Sequence, residues 1–316
     1  MKDKYREHIS AMQPAFFIFW IWFAGERPAV SQDSISSPPS WKQIAILADK
    51  EINESSGLIL SHRNDKCFWT HNDSGDEPRI FLVHPDGRTI ARVRLLGSKA
   101  IDWEDITMAT IGGTPKIIVG DIGGNAQPRK FVTLYILTEP KIVFDDSRPI
   151  HPIEATATSE TTIEVSFQGG VTNYEGIAVD HAAGLILIVE KALLGGRVYS
   201  VPLPSQSELT KPKIQVTAKE IGHTSIPFAC ACDISHDSMS LVVITYQQGY
   251  LFRRQTISDH NAEEWSATLK REPVVFSLPK LKQPESVCFS KDDRSVFLTS
   301  EQLPTPIVEV QLPSTK

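Results

Sequence analysis

Cysteine is scarce in this chain: Cys67, Cys230, Cys232 and Cys288 are the four in 316 residues. No Cys-x-x-Cys and no neighbouring His pair accompanies them, so a thiolate-held zinc is poorly supported. Four thiols admit three pairings; Cys230 and Cys232, two apart on one strand face, are badly placed to bond each other, and buried free thiols fit as well as a bridge. Blocks of Lys and Arg are also missing, and with a net charge of −6 the chain lacks the basic footprint of a nucleic-acid binder. There is no Gly-x-Ser-x-Gly elbow and no phosphate-cradling Gly-rich loop with Lys. Long 3.6-residue periodicity is almost absent, which excludes a helical fold. What is present is an ordinary globular composition, 41% hydrophobic and 22% charged, sufficient for a full core.

No apolar run reaches the roughly 20 residues of a spanning helix. The run at residues 15–25 is 11 long, ends in small residues and follows Lys2, Lys4 and Arg6. That is a secretory signal pattern, so residues 1–30 read as a signal peptide or short membrane tether. The expectation is an exported protein, periplasmic or extracellular, with no membrane span in the mature chain. Residues 31–40, SQDSISSPPS, read as a flexible linker, and 41–316 as one folded domain.

That domain is a series of short β-rich runs separated by turn residues. A start recurs five times: ESSGL (54–58), DWEDI (102–106), NYEGI (173–177), CACDI (230–234) and QPESV (283–287). Its third residue falls at 56, 104, 175, 232 and 285, giving spacings of 48, 71, 57 and 53, close to the roughly 40–50 residues of a propeller blade. Each start is followed by a second apolar run (67–70, 117–119, 185–188, 241–244, 295–298) and a third (79–83, 133–137, 197–201, 250–253, 306–310). Fourth strands are expected at 90–94, 162–166, 213–216 and 274–276, and none is visible after the fifth unit. The stretch WKQIAIL (41–47) has strand character but no unit of its own. Pairing it with 306–310 would close the ring and remove an exposed sheet edge. The fold expected is therefore an all-β propeller of four-stranded blades, five in number, closed by an N-terminal strand; a sixth blade is the alternative, in the 71-residue interval at 150–158.

In a propeller the first strand of each blade lines the central channel, and residues two apart share a face. The recurring starts then deliver Glu54, Asp102, Glu104, Glu175 and Glu285 to one channel mouth. The ends of the second strands add Asn72, Asp73, Asp121 and Asn125, with Glu190, Tyr246 and Glu301. Gathered carboxylates raise one another's pKa or recruit a cation, and hard oxygen donors suit Ca²⁺ or Mg²⁺, with Ca²⁺ the first choice. This also accounts for the crowding of charge in HNDSGDE (71–77), where a plain turn needs fewer carboxylates. His71 in that motif is expected to be structural, and Trp69 and Trp103 to pack between blades.

The phrases ESSGL, WTHNDSGD, DWEDI, GDIGGN, NYEGIAV and PESVCFSKDDRSVFLTSE resemble a group of exported bacterial β-propellers of mostly undefined activity, over residues 50–312. That group is similar in outline to phytase-like esterase and gluconolactonase-type propellers, where acidic and amide residues hold a divalent cation, usually Ca²⁺, at the channel mouth. The resemblance implies a cation-dependent hydrolase of an ester, lactone or phosphoester. The expected partner is a small-molecule or polymer-derived substrate, and the expected state a monomer. By motif match it implies Glu104, Asp121, Asn125, Glu175 and Glu285 as mouth residues, with Glu54, Asn72 and Asp73 beside them. Glu104 and Glu175 are then the catalytic candidates, and Glu54, Asn72, Asp73, Asp102, Asp121, Asn125 and Glu285 the metal candidates. Two positions depart from the pattern: Gly124 stands where the group has a second Asp, and Cys232 where three other units here have Glu. The alternative function is a non-catalytic ring that binds a ligand or protein, because propellers host many roles.

Overall fold

The computed structural model describes residues 40–124, 128–147, 151–258 and 261–314. The expected export segment, all of the linker but Ser40, and Asn125 lie outside them. The five recurring starts open five short strands, Ser55–Leu60, Trp103–Ile111, Tyr174–Asp180, Ala231–Ile234 and Gln283–Phe289. These inner strands touch in ring order, and the fifth touches the first. From each, antiparallel second and third strands step outward. The result is the five-bladed propeller expected from the repeats.

Second strands read as unbroken apolar runs because both of their faces are dry. Leu185–Glu190 and Phe68–Asn72, for example, are buried along almost their whole length. Outer strands such as Val274–Ser277 are mostly exposed. Five hydrophobic clusters lie between successive blades, and the fifth joins blade 5 back to blade 1 through Leu58, Phe81, Cys288 and Ile307. Trp69 and Trp103 both sit in the cluster between blades 1 and 2, the packing role expected of them. The four cysteines are buried and unbridged.

Closure follows the sequence reading closely. Trp41–Ile46 pairs antiparallel with Pro306–Gln311, Trp41 opposite Val310 and Ile46 opposite Pro306. The first strand of the folded region thus completes the last blade, so the ring ends without a seam.

The outer edges differ from expectation. Ile153–Thr158 is not a sixth blade; it adds parallel to Thr89–Leu96 as a fifth strand of blade 1. Lys213–Thr217, expected as the fourth strand of blade 3, instead adds parallel to Thr161–Ser166 of blade 2, and blade 3 is completed by Lys219–His223. A side-chain match favours this: Glu164 accepts from both Lys213 and Gln215 across the parallel pair. In both cases the chain leaves the third strand of one blade, covers the edge of the preceding blade, and returns as its own fourth strand. Blade 4 repeats the excursion with a short helix, Trp265–Thr268, whose following residue Leu269 packs on Gly222 at the edge of blade 3. Each added strand becomes the new outer edge of its blade. Among the described residues no helix is long and apolar enough to cross a membrane.

Candidate functional site

The inner strands share one irregularity. Pairing with the second strand slips at Ser56, Glu104, Glu175 and Glu285, the third residue of each start. A β-bulge leaves its extra residue out of the ladder and re-aims the side chain. In blade 4 the ladder runs through Cys232 without a slip. Three bulges therefore carry glutamates, and all three are buried, Glu104 and Glu175 at 1–2% exposure.

Glu104 meets Asp102, the residue just before its own strand, and Asp73, the residue just past the second strand of blade 1. One carboxylate oxygen from each lies within 4.8 Å of the others. Glu104 Oε1 is buried and accepts no hydrogen bond among the described residues. Burial, reinforced by the charges of Glu175, Asp73 and Asp102, pushes the Glu104 carboxyl well above the ordinary range. Burial also raises Asp73, to about 6. The wall behind this cluster is Gly123, where a Cβ would stand 2.1 Å from Glu104 Oε1 and 2.5 Å from Asp102 Oδ2. Only a residue without a side chain fits there.

A second group shares Asp73, whose oxygen lies within 4.8 Å of Glu285 and Glu301 oxygens. Burial and a hydrogen bond with Glu285 push Glu301 up to about 9, so this pair holds a proton at neutral pH. On the same side stands Lys191, its Nζ 3.2 Å from Glu175 Oε1 and 3.8 Å from Glu285 Oε1. Burial opposes its charge, but the two carboxylates outweigh that and hold Lys191 protonated. Burial raises Glu175 to about 7 in spite of the lysine. Tyr246 donates to Glu285 at 2.6 Å, and Asn173 to Glu175 at 2.5 Å. The two sides thus differ: on one, a guanidinium, Arg129, stands 3.8 Å from Asp102 of the three carboxylates, and on the other Lys191 stands between Glu175 and Glu285.

The remaining sequence candidates hold the mouth rather than line it. Asn72 accepts from the Glu54 amide and donates to Glu51 O and Asp76 Oδ2, which occupies its amide group. Asp121 accepts from the amides of Ile101 and Asp102 and from Arg129 at 2.5 Å. Glu54 is exposed on the rim and belongs to neither cluster. Glu190 is bound by Arg197 and Thr172 and lowered to about 2. His71 is buried against Asn72 O, and burial lowers it to about 4. In HNDSGDE itself, Asp76 pairs with Arg79 while Asp73 turns to the mouth.

Lys191 and Arg129 were not expected from the sequence. Arg129 spans Asp121, the Gly123 carbonyl and, at 3.8 Å, Asp102. Neither occupies a repeated position; Lys191 is one residue past the end of a second strand, the only hint the sequence offers.

The donor set fits a hard divalent cation on the Asp73, Asp102 and Glu104 side. Ca²⁺ and Mg²⁺ take oxygen ligands, and a buried, partnerless carboxylate oxygen is what such an ion satisfies. On the other side Lys191 already supplies the positive charge.

No family model matches the chain, and no curated protein matches it. Among solved structures it is similar to the WD40 domain of Neurospora crassa Pan2 (10% identity, TM-score 0.43, 89% of this chain and 98% of that one). It is also similar to the Dos1 propeller (12%, 0.37, 83% and 68%) and to a chain in a nidogen/laminin complex (14%, 0.40, 84% and 87%). Likeness at this level carries no argument about activity.

Proposed function

We propose that this is an exported β-propeller that holds a divalent cation, Ca²⁺ first, with Asp73, Asp102 and Glu104, and hydrolyses an ester, lactone or phosphoester at that mouth. The observation that carries the reading is the partnerless, buried Glu104 Oε1 within 4.8 Å of two further carboxylates. When bound, the cation supplies Lewis-acid polarisation of a carbonyl or phosphoryl oxygen. Lys191, 18% exposed at its side chain, offers a fixed positive charge to an anionic substrate oxygen. Glu175, raised to about 7, has the proton affinity of a general base near neutral pH. Tyr246 and Asn173 hold the carboxylates in place from either side.

The test is a screen of generic ester, lactone and phosphoester substrates with and without Ca²⁺. Turnover lost on chelation and in both Glu104→Gln and Glu175→Gln supports the reading; inactivity across the screen in Ca²⁺-loaded protein counts against hydrolysis. A second reading, a non-catalytic binding ring, is favoured by the loops of the same face. They expose Leu193, Leu194 (85%), Phe228 and Phe131, an apolar collar suited to a partner.

A further inference from the structure

Four of the five junctions between blades receive apolar side chains from the same source, the stretch that follows the third strand of the later blade. Ile142 and Phe144 enter the cluster between blades 1 and 2, Leu209 that between blades 2 and 3, Trp265 and Leu269 that between blades 3 and 4, and Leu312 that between blades 4 and 5. Blade 1 has no such stretch. Its third and fourth strands are joined by the tight turn 84–88, in which the His84 amide donates to Arg88 O at 2.8 Å. At the junction of blades 5 and 1 a cavity of about 470 Å³ remains, within the roughly 300–1,000 Å³ of small-molecule sites.

The cavity has apolar walls and a charged rim. Leu60 and Phe68 of blade 1, Phe297 of blade 5, Ile44 of the closing strand and Pro85 of the tight turn line it. Phe68 and Phe297 meet edge to face, their ring centroids 5.0 Å apart. Ile44, Leu60 and Phe297 pack against the fifth hydrophobic cluster yet stay only half-buried. An occupant that takes the place of the missing side chains removes that surface from water, so its body is apolar.

The rim decides the sign of the head group. Its charged residues are Asp65, Lys66, Lys291 and Glu309. Three are paired, Lys291 with Asp65 and Glu309 with Lys42 at 2.8 Å. The Lys66 ammonium makes no hydrogen bond or ion pair among the described residues. Its backbone is held in the left-handed region, at φ 64°, where glycine fits more easily; such positions gather at ligand clamps. We propose that this cavity binds an amphipathic monoanion, a carboxylate with a medium-length alkyl chain, with the chain between Phe68, Phe297 and Ile44 and the head at Lys66. The site lies where the first inner strand ends, on the face opposite the acidic mouth, and is independent of the reaction proposed there.

The test is calorimetric titration of the full chain with nonanoate, and with 1-nonanol as the uncharged probe of the same tail. One equivalent of nonanoate is expected to bind, about fivefold more tightly than the alcohol, and Lys66→Gly, which suits the left-handed backbone, should erase that difference. Ile44→Trp, which fills the cavity from a strand position that tolerates an aromatic, should abolish uptake of both. Leu194→Asp, on the apolar collar of the other face, should change neither. Circular dichroism checks that each variant is folded, and gel filtration follows its size. No uptake by the wild-type chain, equal affinity for acid and alcohol, uptake that survives Ile44→Trp, or uptake lost in Leu194→Asp would each overturn the proposal. So would a wild-type dimer that Ile44→Trp dissociates, which would put a second copy of the chain in the cavity.

Discussion

The two ends of the channel are built from the same five strands and have opposite chemistry. At the strand starts, bulges turn Glu104, Glu175 and Glu285 inward, where they join Asp73, Asp102 and Glu301. At the strand ends the ladders are regular, and what faces the axis are His62, His181 and His236 on the loops that follow. The acids are buried or half-buried and knitted into the fold; the histidines are exposed on its loops. A group tied into the fold changes stability when altered, and one on an exposed loop changes binding alone.

This contrast sets the order of expected effects. Arg129→Met is the most damaging, because it strands the buried Asp121 carboxylate and releases the Gly123 carbonyl; a loss of about 3 kcal/mol in urea unfolding is expected. Gly123→Ala comes next, since its methyl would overlap Glu104 Oε1; about 1–3 kcal/mol is expected, together with loss of the Ca²⁺ response.

Proton linkage should separate the ends in sign. Asp73, Glu175 and Glu301 are raised to about 6, 7 and 9, so the folded protein keeps protons that the unfolded chain has released. Their stabilisation is full below pH 4 and is lost as pH rises through 6 to 9, with a slope on the order of 1 kcal/mol per pH unit. Ca²⁺ should flatten that decline. His62 and His181 are lowered, so their small contribution is present above pH 6.5 and lost as pH falls. Unfolding midpoints from pH 5 to 9, with Glu175→Gln as control, check the first. The smallest effect is His181→Ala, expected to change stability by less than about 0.5 kcal/mol in the same unfolding measurement.

The ring and its closure were legible because the repeated start marks the inner strand of every blade and 41–47 lacked a unit of its own. The outer edges were not. Lys213–Thr217 and Lys219–His223 are both polar, half-exposed runs separated by Ala218, and nothing in their pattern says which blade each joins. Asp73, Asp102, Glu104, Glu175 and Glu285 were readable as convergent acids from their place in the repeat. Their separation into a carboxylate side and a lysine-countered side was not, because Lys191 and Arg129 lie outside the repeated positions and act through tertiary contacts.

The most direct measurement is the melting temperature of the wild-type chain and of Glu104→Gln with and without millimolar Ca²⁺. Binding to the folded state alone must raise the midpoint. The wild-type chain is predicted to melt several degrees higher with Ca²⁺ and Glu104→Gln to show no rise. An equal rise in both, or none in either, would contradict a cation site at the acidic mouth.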